Sequence, residues 1–180
     1  MKKIVTFTMG NKDTASMCHS ILASSGAVGC SMVVGSAIAI QVDEDDVGRV
    51  LQAARLEAES ISDVVVPDDD VVCCSSVFSS SGKAGDRGGF LTKAEALRRF
   101  CKLSGLIPAS GESYVEFGAV TIKALPVEKH AKFNIVNRFQ VSGNFEVVDR
   151  AKFNNAVMNG IGTRRSYGYG LILSEGMGNL

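Results

Sequence analysis

Three parts of this 180-residue chain carry residues of types and spacings suited to chemistry. The first is a loop, Gly160-Ile161-Gly162-Thr163-Arg164-Arg165-Ser166-Tyr167-Gly168-Tyr169-Gly170. Its glycines let the backbone take positive φ and come close to a ligand. Unpaired backbone N–H groups beside fixed positive charge suit a phosphate chain. The plainer alternative is a helix C-cap followed by a tight turn into a strand. The second part is His19, on a predicted helix at the edge of the polar face formed by Ser16, Ser20 and Ser24. An imidazole suits general acid–base work near neutral pH, although a lone helical histidine is more often a surface or packing residue. The third is a basic, partly aromatic segment with Lys129, His130, Lys132, Phe133, Arg138 and Phe139, where His130 reads as a binding residue rather than a catalyst.

Other chemistries find no support. There is no Ser-His-Asp spacing, no P-loop and no metal-ligand cluster. Asp43, Asp45 and Asp46 read as a helix start, and Asp68 to Asp70 as a solvated loop, rather than as a site for a hard cation. An acid–base group, a phosphate loop and a basic segment together suit cleavage of RNA without a metal. RNA supplies its own nucleophile, the 2′-OH. A base, a steadying cation and an acid for the leaving oxygen are then enough. No metal and no cofactor are expected.

The wider sequence bounds these readings. The five cysteines, Cys18, Cys30, Cys73, Cys74 and Cys101, are odd in number and form no C-x-x-C pair, so buried free thiols in a reducing cytoplasm are expected. Ser20 to Val42 is uncharged and long enough to cross a bilayer, but its serines, glycines and strand-like alternation argue against a membrane span. Net charge is zero, yet residues 1–80 hold 5 Lys/Arg against 11 Asp/Glu and residues 81–180 hold 14 against 8. That asymmetry hints at an anionic partner for the second half.

The elements that must position these residues follow from periodicity and caps. Lys3 to Met9 predicts a strand, and Asn11 or Asp13 can cap a helix running to about Ser25. Ala27 to Val34 and Ser36 to Val42 predict a hairpin turning at Gly35-Ser36. Asp43 is expected to cap a second helix with Val47, Val50, Leu51 and Ala54 on one face. Val64 to Val66 or Val71 to Val77 would supply a fourth strand, completing β-α-β-β-α-β. Residues 81–89, rich in glycine and serine, are expected to link a domain of residues 1–80 to one of residues 90–180. In the second domain Thr92 and Glu95 predict a capping box and Gly105 a helix end, with Leu97, Phe100, Cys101 and Leu103 inward. Strands are predicted at Tyr114 to Leu125, Gln140 to Val148 and Leu171 to Leu173. Asp149 is expected to cap a helix burying Phe153, Ala156 and Val157. The fold class is α+β, two tandem ferredoxin-like (RRM-like) domains.

With these residues in place the chain resembles the CRISPR repeat-RNA endoribonucleases of the CasE type, within the RAMP superfamily. The resemblance is most specific from Phe145 to Leu173, where a strand, a capped helix and Gly160-Ile161-Gly162-x-x-Arg165-Ser166-x-Gly168-x-Gly170-Leu171 follow the family's C-terminal glycine-rich motif. The helix from Leu91 to Leu106 is also similar, and His19 falls where these enzymes carry their catalytic histidine. The resemblance implies binding of a CRISPR repeat RNA hairpin and metal-independent cleavage at its base, leaving a 2′,3′-cyclic phosphate. It implies that the product stays bound within a Cascade complex of other subunits, with no direct DNA contact. Carried over by position, His19 and Arg165 would be catalytic. Arg164 and Arg165 would contact phosphates, and Gly160, Gly162, Gly168 and Gly170 would shape the loop. Lys129, His130, Lys132 and Arg138 would lie on a hairpin near the RNA groove. Ser16 stands where some relatives have a tyrosine, which puts stabilisation of the transition state elsewhere, with Arg165 as the candidate. Two other expectations stand beside this one: a non-catalytic RNA-binding subunit of such a complex, and an unrelated two-domain module that binds a small ligand or a protein.

Overall fold

The computed structural model describes residues 1–9, 14–34, 36–79, 91–109, 120–130, 133–162 and 165–174. The first unit runs β1 (Lys2–Thr8), α1 (Thr14–Ser25), β2 (Cys30–Val34), β3 (Ala37–Asp43), α2 (Val47–Ala54) and β4 (Ser60–Asp63). Its antiparallel sheet has the order β2-β3-β1-β4. Alternation along the strands sorts side chains between two cores. Val5, Phe7, Val33, Ile38, Ile40 and Val42 pack with Cys18, Ile21 and Leu22 of α1 and Val50 of α2. Ile4, Cys30, Met32 and Ala39 point the other way and join the core of the second unit. Both faces of the first sheet are therefore covered.

The second unit runs β5 (Val71–Ser79), α3 (Lys93–Ser104), β6 (Leu106–Pro108), β7 (Val120–His130), β8 (Phe133–Val147), α4 (Arg150–Asn159) and β9 (Ile172–Ser174). Its sheet has the order β6-β8-β5-β9, with β7 also paired to β8. Leaving out the short β6, the order β7-β8-β5-β9 repeats the pattern of the first unit, so each is a β-α-β-β-α-β fold. Phe78, Phe100, Phe139 and Phe145 form a chain of ring contacts 5.4–6.0 Å apart through this core. Thr92 and Glu95 make the expected capping box, and Gly105 ends α3 in the left-handed conformation. Asp149 caps α4 by accepting from the Lys152 amide at 3.0 Å. Arg150 reaches back to the carbonyls of Pro67, Asp68 and Asp69, tying the acidic run to the start of α4.

Several expectations are corrected. The fourth strand of the first sheet is Ser60–Asp63, and Val71–Ser79 belongs instead to the second sheet, paired along its length with β8. The change of sheet thus falls between Asp63 and Val71, because Cys74, Val77 and Phe78 find their apolar partners on α3 and β8. Residues 81–89 lie outside the described residues. Asp43 makes no side-chain cap; a 3-10 turn, Glu44–Asp46, intervenes before α2. Leu103 is exposed rather than inward. The strand expected from Tyr114 is described from Val120 and continues to His130.

Candidate nucleic-acid interface

The last turn of an α-helix leaves four carbonyls without helical partners. In α4 all four are satisfied. Gly160 N donates to Ala156 O at 2.8 Å. Gln41 Nε2, from β3 of the first unit, donates to Val157 O at 3.1 Å and Met158 O at 2.8 Å. Arg165 Nη1 donates to Asn159 O at 2.6 Å. The helix end is thus closed by two side chains, one from the other unit and one from the loop that follows.

That loop folds onto the edge of the first sheet. A 3-10 turn, Arg165–Tyr167, contacts both β2 and α1. Ser31 Oγ donates to Arg165 O at 3.0 Å and accepts from Gly168 N at 2.8 Å. Gly168 has φ +86°, and a Cβ there would strike the Val33 side chain. Gly170 has φ +106°, and a Cβ there would strike the Ile161 carbonyl. Gly170 N donates to Val77 O, and Ile161 N to Gly170 O. Gly160 is likewise buried, against Cys30. The close approach that these three glycines allow is therefore to protein. Their amides already donate within the chain, which corrects the expectation of unpaired N–H groups for a phosphate. Gly162 differs, being exposed with open space around its Cα. Among the described residues of the loop, the exposed Arg165 guanidinium is the group suited to an anion.

His19 lies on α1, the helix that contacts the turn of this loop. It follows Ala15 by four residues, so the two share a helix face. Ala15 is buried in the cluster that holds Ile161, Tyr169 and Leu171 of the second unit. Met17 packs on the opposite flank with the α2 core. His19 is half-buried, with its Nδ1 out of contact with solvent, while Ser16 is exposed. The helix that carries His19 and the turn that carries Arg165 therefore meet, although they are far apart in sequence.

Arg138, on β8, donates from Nε and Nη2 to Pro126 O at 3.3 and 2.8 Å. It lines a cavity of about 240 Å³ with Thr14, Val33, Val77, Leu125, Pro126 and Gln140, residues of both units. Lys129 and His130 end β7, but their side chains lie outside the described part of the structure, as do Lys132 and Arg164. Burial pushes the Cys30 thiol, beneath the loop, up to about 11 against the lowering pull of Lys2 and Arg165. A thiol so placed is neutral near pH 7 and is no nucleophile. Among the described residues no three His, Cys, Asp or Glu side chains gather as a metal site. No described helix is long and apolar enough to cross a membrane. Ser31 and Gln41 were missed from sequence; the available signal was a polar residue flanked by apolar neighbours in a predicted strand, which, once buried, needs a partner.

Two tandem β-α-β-β-α-β units, with the glycine-rich loop of the second packed on the first, define the class of protein. The sequence profile of the CRISPR associated protein family matches residues 85–174, half of the chain, and the chain belongs to that family. No curated protein matches the sequence. Among solved structures, the chain is similar to the CRISPR endoribonuclease Cse3 bound to a 19 nt RNA, at 13% identity and TM-score 0.70, covering 96% of this chain and 97% of that one. Thermus thermophilus Cse3 bound to an RNA representing a pre-cleavage complex gives 14% identity and TM-score 0.70, covering 96% and 98%. The CRISPR-associated protein Cas6e from Escherichia coli K-12 gives 11% and 0.65, covering 97% and 98%. At these identities the likeness is one of fold, and it extends over both units.

Proposed function

We propose that this chain is a metal-independent endoribonuclease that binds the repeat hairpin of CRISPR precursor RNA, cuts it and retains the product as a cytoplasmic Cascade subunit. In the reaction the 2′-oxygen forms a bond to phosphorus as the bond from phosphorus to the 5′-oxygen breaks. One proton leaves the 2′-OH and one joins the 5′-oxygen, giving a 2′,3′-cyclic phosphate and a 5′-OH. His19 carries one of these transfers, as base or acid. Arg165 steadies the charge that grows on the phosphate oxygens. Arg164, Lys129, His130, Lys132 and Arg138 hold the stem through its phosphates. The observation that supports the reading is the contact of α1, the helix that carries His19, with the Arg165–Tyr167 turn.

The test is single-turnover cleavage of a labelled repeat hairpin in EDTA. His19→Ala should slow cutting by about 10²–10⁴-fold with little change in binding. A 2′-deoxy substitution at the cut site should stop the reaction. Affinity should fall steeply with salt, because phosphate contacts release counterions. Cleavage that appears only when Mg²⁺ is added would overturn the reading. One observation favours the second reading, a non-catalytic RNA-binding subunit: the Arg165 guanidinium already closes the end of α4. Tight binding of the hairpin with no cut would decide for it.

A further inference from the structure

We infer that Ser31 is a positioning residue for Arg165, supported by Gln41. The inference rests on the reading of this loop as part of an RNA-cleaving site. Ser31 lies on β2 and is 0% exposed. Its hydroxyl touches the carbonyl of the first residue of the Arg165–Tyr167 turn and the amide of the residue just after it. It shares a face of the first sheet with Val33, which packs in the α1 core. The hydroxyl therefore fixes the backbone of Arg165 on the side of the sheet where α1 lies. Gln41, 1% exposed, points to the opposite face and holds the carbonyls of Val157 and Met158. The next carbonyl, that of Asn159, is where the Arg165 guanidinium rests. One residue sets the backbone of Arg165 and the other sets the surface that its side chain leans on. Both belong to the unit that supplies His19, so together they define the separation of imidazole and guanidinium.

A purely structural role would lower stability and leave the rate at saturating RNA alone. The experiment compares wild type, Ser31→Ala, Gln41→Met and Thr92→Ala, the last removing the cap of α3 as a stability control. Single-turnover cleavage of the labelled repeat hairpin, binding of its 2′-deoxy form and exchange of the Gly168 amide are measured for each. Ser31→Ala should lower the saturating rate by about 10- to 100-fold, the scale of a buried polar group left unpaired. Its affinity for the 2′-deoxy hairpin should change by less than about 3-fold, and Gly168 should exchange faster. Gln41→Met should act in the same direction by a smaller factor. Thr92→Ala should lose stability and keep its rate. A Ser31→Ala protein that cuts as fast as wild type at saturation, or a Thr92→Ala protein that slows equally, overturns the inference. Should wild type cut no hairpin, the functional reading falls. The exchange of Gly168 in Ser31→Ala then decides the positioning claim: faster exchange supports it and unchanged exchange overturns it.

Discussion

Each unit returns from its second helix to its last strand, and the two returns differ. In the first, residues 55–59 suffice to carry the chain from α2 to β4. Arg55 ends α2 with φ +52°, its amide donating to Leu51 O, and β4 is a mostly exposed edge. In the second, residues 160–171 connect α4 to β9, and β9 is buried. The topology asks only for a short return. The additional residues of the second one build the turn that meets β2 and α1, where Ser31 holds it, while Gln41 holds the end of α4. The longer return is the one that carries Arg165.

The comparison can be broken at several points. Gly170→Ala forces a side chain into a left-handed position against the Ile161 carbonyl. It should cost about 3 kcal/mol or more in urea unfolding, whereas Gly48→Ala in α2, with open space around it, should gain about 1 kcal/mol. Equal shifts would mean that the long return is no more constrained than the short one.

Titration of the thiols gives a second comparison. Burial raises Cys30 to about 11 and Cys101 to about 12, and Cys74 higher still. Above pH ~9 the unfolded chain loses these protons while the folded chain keeps them. Their contribution is therefore complete below pH ~9 and is lost as pH rises through the folded values. Cys30→Ala should remove about 2–3 kcal/mol of the loss between pH 9 and 11, read from urea midpoints. An unchanged slope would show that the contact under the loop opens to water. The smallest effect belongs to the short return. Arg55→Gly relieves a left-handed non-glycine residue and should stabilise by about 0.5–1 kcal/mol. A loss there would mean that the Arg55 side chain has a role in the return.

Features set by neighbours in sequence were legible in it. The capping box of Thr92 and Glu95, the Gly105 helix end and the Asp149 cap depend on residues a few positions apart, and each stands as expected. The membership of Val71–Ser79 was not legible. Its alternation fits either sheet, and its partner strand is reached only after α3, β6 and β7. The glycines of the loop announced an unusual backbone, and four of them do have positive φ. What the letters could not show was that Val33, Ile161 and Cys30, rather than a ligand, stand against three of them. Ser31 and Gln41 looked like ordinary strand residues because their partners are backbone carbonyls and an amide more than 110 residues away.

The hold of β2 on the loop, spanning 137 residues between Ser31 and Gly168, bears on the order of events during synthesis. The unit that supplies His19 can emerge from the ribosome and fold well before the glycine segment has been made. Until residue 170 is free of the exit tunnel, the Arg165–Tyr167 turn cannot meet α1 and β2. The contact between α1 and the turn therefore forms late in synthesis, after most of both units has been made.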